Sequence, residues 1–277
     1  MTTPRDSNRA AGRAARGAPR SALAPADGEP HCPPARELVG PRVDCRHCGL
    51  FALCLPVGLE PGDIDLLERV IKSRRVVRRG ERLFRRGERF QSVFAVKSGS
   101  IKSTVPLGGG HAQVTGFHLP GELIALDAVG AGSYLYDAHA LETSSLCVVP
   151  FDRLEDLGAI VRSMQRQMLR IMSHQIRHDL LLQVLHCRMT AEERLAGFLL
   201  NLSSRFAARG FSAAEFRLSM SRDDIGNYLG LAKATVIRLF SAFESRQLVS
   251  VAHRQLRIHD LYRLESLAGL KAADLQA

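Results

Sequence analysis

The residues of this chain best suited to chemistry are three cysteines, Cys45, Cys48 and Cys54. They are spaced x2 and x5 within Asp44–Pro56 (DCRHCGLFALCLP), and a fourth thiol, Cys147, lies about ninety residues further on. Thiolates at short spacing hold soft metals, and four of them complete either an iron–sulfur cluster or a zinc site. The Cys-x2-Cys step suits zinc as well as iron, and His31 and His47 are available to complete a zinc site. The x5 gap and the remote fourth thiol are less usual for a zinc ribbon. Spacing alone therefore leaves iron–sulfur and zinc both open. Cys32 has no assigned role, and Cys187 reads as an ordinary helix residue. No nucleophile–base pairing, Walker loop or dinucleotide fingerprint accompanies the thiols, so an enzyme is disfavoured.

Composition narrows the partners. The chain has 277 residues, is 45% hydrophobic and carries a formal net charge of +10, which favours a polyanion. No stretch has the length of a membrane span and the N-terminus has no apolar signal core, so a cytoplasmic protein without a membrane partner is expected. A reducing compartment also fits metal or redox use of six cysteines better than disulfides. Residues 1–40 are rich in Ala, Arg, Pro and Gly and read as a disordered tail.

The elements that must position the cysteines follow from pattern. Pro61–Lys72 reads as a short amphipathic helix. Residues 76–151 break into short β-prone runs between glycines, among them Val93–Val96, Ile101–Val105, Gln113–Leu119 and Ala140–Val149, which predicts a small antiparallel roll. From Leu154 to Cys187 there is no proline and only Gly158, which predicts one long helix. Along it Leu169, Met172, Ile176, Asp179 and Gln183 recur at alternating steps of three and four, a seam for a homodimer. Asp179 would face its own copy there. Two carboxylates about 5 Å apart repel by roughly 1–3 kcal/mol, enough to bias a weak helix pair towards monomer.

The C-terminal third has helix-turn-helix grammar. Thr190–Glu193 is a capping box that opens a helix. Ser221 and Asp224 cap the next, with Ile225, Tyr228 and Leu229 turned inward and a tight turn at Gly230-Leu231. The following helix, within Ala232–Gln247, carries Thr235 and Arg238 outward while Val236, Leu239 and Phe243 pack. Val249–Ile258 reads as the strand pair of a wing.

These residues resemble the fumarate–nitrate reduction regulators (FNR) of the cyclic-AMP receptor superfamily. The stretches that carry the resemblance include Gly116–Leu119, Ala140–Thr143, Ala191–Arg194, Arg205–Ser212, Glu215–Leu218 and Asp224–Leu231. The resemblance implies an α+β fold with four parts: the disordered tail 1–40, an iron–sulfur sensor β-roll 41–153, a dimerisation helix 154–188 and a winged helix-turn-helix 189–277. It implies a 4Fe–4S cluster on Cys45, Cys48, Cys54 and Cys147, a cluster form that dimerises and binds double-stranded DNA at an inverted repeat, and release of DNA when oxygen degrades the cluster. The alternative within the same fold is a zinc- or thiol-based redox regulator.

Three features depart from the wider pattern. Between Lys102 and Arg153 there is no Lys or Arg, so a cyclic phosphate in the roll would stay uncompensated and no cyclic nucleotide is expected. The family's Glu-x-x-Ser-Arg reads here as Ala234 to Ile237 followed by Arg238. Arg238 can still bond a guanine bidentately, whereas Ala234 and Ile237 offer only apolar contact, which shifts the expected half-site away from TTGAT. Lys233 can reach a base or a phosphate, and Thr235, Ser219 and Arg222 are candidate phosphate contacts, with a plain solvent-facing charge the equal alternative for Arg222. Finally, Leu107–Ala112 (LGGGHA) lacks the acids that the family uses towards RNA polymerase. Polymerase remains an expected partner, with activation and repression both open.

Overall fold

The computed structural model describes residues 43–71 and 73–270. The expected tail, with His31 and Cys32, lies outside them. The cysteine loop comes first and contains one turn of 3-10 helix, Phe51–Leu53. Helix α1 (Pro61–Val70) follows as expected. Pro61 stands where a backbone N–H has no helical partner, Asp63 faces the positive end of the helix, and Ile64 and Leu67 are buried.

Eight strands then form the roll: β1 (Ser73–Val77), β2 (Arg82–Phe84), β3 (Ser92–Ser98), β4 (Ile101–Pro106), β5 (Ala112–His118), β6 (Leu123–Ile124), β7 (Asp137–Ala140) and β8 (Ser144–Pro150). They pair antiparallel in two sheets, ordered β1-β8-β3-β6 and β2-β7-β4-β5. Aromatic rings fill the space between the sheets: Phe84 stacks on Tyr134 at 4.0 Å between centroids and on Phe94 at 5.7 Å. The run Ala140–Val149, expected as one strand, is two strands of opposite sheets. The chain leaves one sheet at Ala140 and enters the other at Ser144, and periodicity alone does not reveal such a crossing.

The long helix is likewise two. Helix α2 (Phe151–Ile160) ends at Val161, whose backbone is extended (φ −106°, ψ 98°), and α3 (Arg162–Arg188) starts anew. Val161 is buried beside Leu157 and Met164, so the break turns the apolar sides of both helices onto the core beneath the cysteine loop. A β-branched residue adopts the extended backbone readily, and burial decides the matter. No helix among the described residues is long and apolar enough to cross a membrane.

The last part comprises α4 (Ala191–Ala208), β9 (Glu215–Arg217), α5 (Arg222–Leu229), α6 (Lys233–Ser245), β10 (Val249–Ala252), β11 (Gln255–Ile258) and α7 (Leu261–Ala268). Both expected capping boxes form, Thr190 with Glu193 and Ser221 with Asp224. Gly226, inside α5, lets the turn into α6 pass close by, because a Cβ there would lie 2.6 Å from the Leu231 carbonyl. The wing gains a third strand, with order β10-β11-β9. The core of this part does not stop at its own elements: Val114, Phe117, Leu119 and Leu141 of the roll join Phe198, Leu199 and Tyr228 in one apolar cluster.

Candidate metal centre and nucleic-acid interface

Two elements hold the cysteine loop in place. Glu68, on α1, accepts the backbone N–H groups of Cys45 (2.7 Å) and Arg46 (3.3 Å). Gln167, buried on α3, donates to the Cys54 carbonyl at 3.2 Å. The loop closes on itself through Cys48 N–H to the Cys45 carbonyl and Phe51 N–H to the Cys48 carbonyl. Arg46 ties it again to α1 through Asp65, at 2.5 Å, and the Pro61 carbonyl. Cys147 arrives from elsewhere in the chain, in the middle of β8.

All four cysteines line one partly open pocket, walled mainly by apolar residues such as Val43, Leu50, Phe51 and Leu67. All four are free thiols. Burial pushes the Cys45 thiol up to about 12, and the charges of Cys147, Cys54, Glu68 and Cys48 add to it. Burial pushes Cys54 to about 12 as well, against the Leu55 N–H and with Cys147 and Cys48 adding. Cys147 is raised by burial, opposed by Arg74 and Lys97, and raised further by Cys48. Each sulfur thus feels each of the other three. Such a site holds protons until a cation replaces them, so loading with metal releases protons. Among the described residues no three His, Cys, Asp or Glu side chains are arranged to hold a single metal ion. His47 is exposed, pairs with Asp44 at 2.9 Å, and is absent from the pocket wall.

On α6, Lys233, Ala234, Ile237 and Arg238 form an exposed face, and Val236, Phe240 and Phe243 are buried. Thr235 is half-buried, and its hydroxyl accepts from Arg238 at 3.4 Å, which steadies the guanidinium. Ser219 and Arg222, the other candidate phosphate contacts, make contacts within the chain. Ser219 is buried, its carbonyl accepting from Arg254 at 3.1 Å. Arg222 is half-buried and lies over the Phe240 ring, 3.4 Å from its centroid.

On α3, Leu169 and Ile176 are exposed, as are Asp179 and Gln183, while Met172 is half-buried and packs on the core under the cysteine loop. Asp179 accepts from Gln175 at 2.9 Å. It also has a like charge within its own chain, because Asp127 of the roll, raised first by burial, is raised further by Asp179.

Sequence reasoning missed the contacts between the roll and the helix-turn-helix. Glu122 accepts from Arg205 Nε and Nη2 at 3.0 and 2.6 Å and from Arg209 Nη2 at 2.5 Å, while its own turn supplies the Leu119 N–H at 3.0 Å. The two cations hold its carboxyl at about 2 despite burial. Lys102 of β4 pairs with Asp224, the capping acid of α5, at 2.5 Å. Asn227 bonds the backbone of β5 from both ends of its amide, to Val114 N–H and the Ala112 carbonyl. Gly121, beside Glu122, is where the cysteine loop touches this turn, since a Cβ there would meet Leu53 at 2.9 Å. The partners that join the roll to the helix-turn-helix lie 83 to 122 residues apart, beyond the reach of local pattern.

The comparisons agree with this geometry. Residues 74–159 match the cyclic nucleotide-binding domain family and residues 193–267 the Crp-like helix-turn-helix domain. The chain is 48% identical to "Transcriptional activator protein FnrA" of Stutzerimonas stutzeri over 81% of its length and 92% of the relative's. It is 41% identical to the "Fumarate and nitrate reduction regulatory protein" of Escherichia coli K12, over 83% and 92%. Among solved structures it is similar to FixK2 from Bradyrhizobium japonicum, with 31% identity, a TM-score of 0.65 and coverage of 70% of this chain and 96% of that one. A roll edge that clasps a capped helix-turn-helix, with identity of this extent, makes the chain a member of the FNR/Anr group of CRP/FNR transcription regulators, and not an enzyme.

Proposed function

We propose that this regulator responds to oxygen through a 4Fe–4S cluster held by Cys45, Cys48, Cys54 and Cys147. The observation that carries the reading is the meeting of four mutually interacting thiols from two remote segments in one apolar hollow. The donor set fits the group: four thiols line one pocket, and among the described residues no histidine lines it. When bound, a 4Fe–4S cluster supplies an oxygen-labile joint between the cysteine loop and β8. The chain's own residues do the rest. Glu68 and Gln167 fix the loop, α3 presents the dimer seam of Leu169, Met172, Ile176, Asp179 and Gln183, and α6 presents Arg238 and Lys233 to an inverted repeat in double-stranded DNA. Loss of the cluster loosens the loop, the seam separates, and DNA is released.

The roll takes no cyclic nucleotide in this reading. Its interior is packed with Phe84, Phe94 and Tyr134, and Glu122 is bonded to Arg205 and Arg209. RNA polymerase is the proposed partner of the DNA-bound dimer. Anaerobic purification tests the cofactor: near-equal iron and acid-labile sulfide that bleach in air support it, and stoichiometric zinc overturns it.

Two further results are expected. Asp179→Ala removes the facing carboxylates and raises the dimer fraction of the air-exposed protein in sedimentation. If Asp127→Asn does the same to the same extent, the repulsion acts within the chain and not across the seam. Arg238→Ala weakens DNA binding by about 1–3 kcal/mol per half-site and relaxes preference at a single guanine. A uniform loss over random sequences would assign Arg238 to phosphate instead.

A further inference from the structure

Cys147 is flanked in register by Arg74 of β1 on one side and Ala95 of β3 on the other. Residues paired directly across a sheet share a face, so Arg74 and Cys147 point the same way. Lys97 lies where the pairing of β3 slips between Val96 and Ser98, and it lines the cysteine pocket. Bulges of this kind re-aim a side chain and gather near functional sites. The Nε of Arg74 is buried and has no hydrogen-bond partner among the described residues. A guanidinium N–H left in that state is costly, and a native structure keeps it for a reason. Two acids also lie at the site: Asp44, bonded to His47, and Glu68, which holds the loop backbone and whose charge acts on Cys45.

We infer that Arg74 and Lys97 are the counter-charges of the cysteine site, and that they set how firmly a cluster held there resists oxidation. This rests on the reading of the four cysteines as cluster ligands. Four thiolates outweigh the positive charge of a 4Fe–4S core, so the assembled centre is an anion whose potential depends on surrounding charge. Air oxidation of a bound cluster would draw one electron from that anion to dioxygen, giving superoxide. Adjacent cations stabilise the electron-rich state and oppose this step. The small side chain of Ala95 leaves the face open on the other side of Cys147.

The test uses the full chain purified without oxygen, with Arg74→Gln, Lys97→Gln and the charge-keeping Arg74→Lys. Iron and sulfide counts establish loading, and far-UV circular dichroism establishes the fold. Mixing with air-saturated buffer then gives the bleaching rate. Arg74→Gln and Lys97→Gln are expected to bleach about 3–10-fold faster than the parent, and Arg74→Lys close to the parent rate. If Arg74→Gln does not fold, Lys97→Gln decides alone, because its side chain sits at an irregular point of the strand. Equal rates in a loaded parent and loaded Gln variants overturn the inference while leaving the cluster assignment intact. So does an Arg74→Lys protein that bleaches as fast as Arg74→Gln. A parent that holds no iron–sulfur overturns both.

Discussion

Cys147→Ser protein purified without oxygen should contain no iron or sulfide, sediment as a monomer and bind target DNA on the order of 10–100-fold more weakly than the parent. The reason lies in the strand. Cys147 is held between β1 and β3 by backbone pairing, and no other cysteine lies on a described strand of the roll. The other three cysteines share a short loop, and Cys147 is the group through which that loop would be tied to the sheet. Serine is nearly isosteric and keeps the strand pairing, so circular dichroism and thermal stability of the apo-protein should match the parent. Retained iron and sulfide in this variant would remove Cys147 from the ligand set, and retained DNA affinity without a cluster would separate DNA binding from the metal centre.

The second large effect is expected at Glu122. Glu122→Gln leaves Arg205 and Arg209 facing a neutral amide in a place where their own side chains are only 17% and 4% exposed. Removing one partner of a buried ion cluster costs about 3 kcal/mol, which for a chain of this size lowers the melting temperature by roughly 6–12 °C. The carboxyl is held at about 2, below its ordinary 4.5. A depressed pKa contributes stability that is full above the unfolded value and disappears as pH falls through the folded one. The gap between parent and variant should therefore be constant above pH 4.5 and close between 4.5 and about 2. Thermal melts from pH 3 to 7 decide this. A gap that persists undiminished at pH 3 would mean that shape, not charge, is what Glu122 supplies.

The helix-turn-helix was legible because its signals are local. Ser221 and Asp224 announce the cap, Gly230 the turn, and Ile225, Tyr228 and Leu229 the buried face, all within ten residues. The cysteine loop was legible for the same reason. What stayed hidden depends on distant partners. Val161 breaks a helix whose composition favours continuation, because Leu157 and Met164 must reach one core. Arg222 looks like a surface charge until Phe240, eighteen positions on, is seen beneath it. Glu122 belongs to a turn in sequence and to the DNA-binding helix α4 in space. The crossing between β7 and β8 is invisible to alternation, since both strands bury residues on entry and exit.

The shared core of the roll and the helix-turn-helix bears on how the molecule can be divided. Phe117 lies 6.0 Å from Phe198 and 5.1 Å from Tyr228, ring to ring. A DNA-binding fragment cut at residue 189 would carry Phe198 and Tyr228 without the ring that covers them. Its apolar surface would be bare where Val114, Phe117, Leu119 and Leu141 had been, and such fragments stick to one another. A roll cut from the same place would keep Phe117 uncovered and leave Glu122 without its arginines. The boundary that is easy to draw along the chain therefore runs through a packed interior, and the two lobes are expected to melt as one cooperative unit.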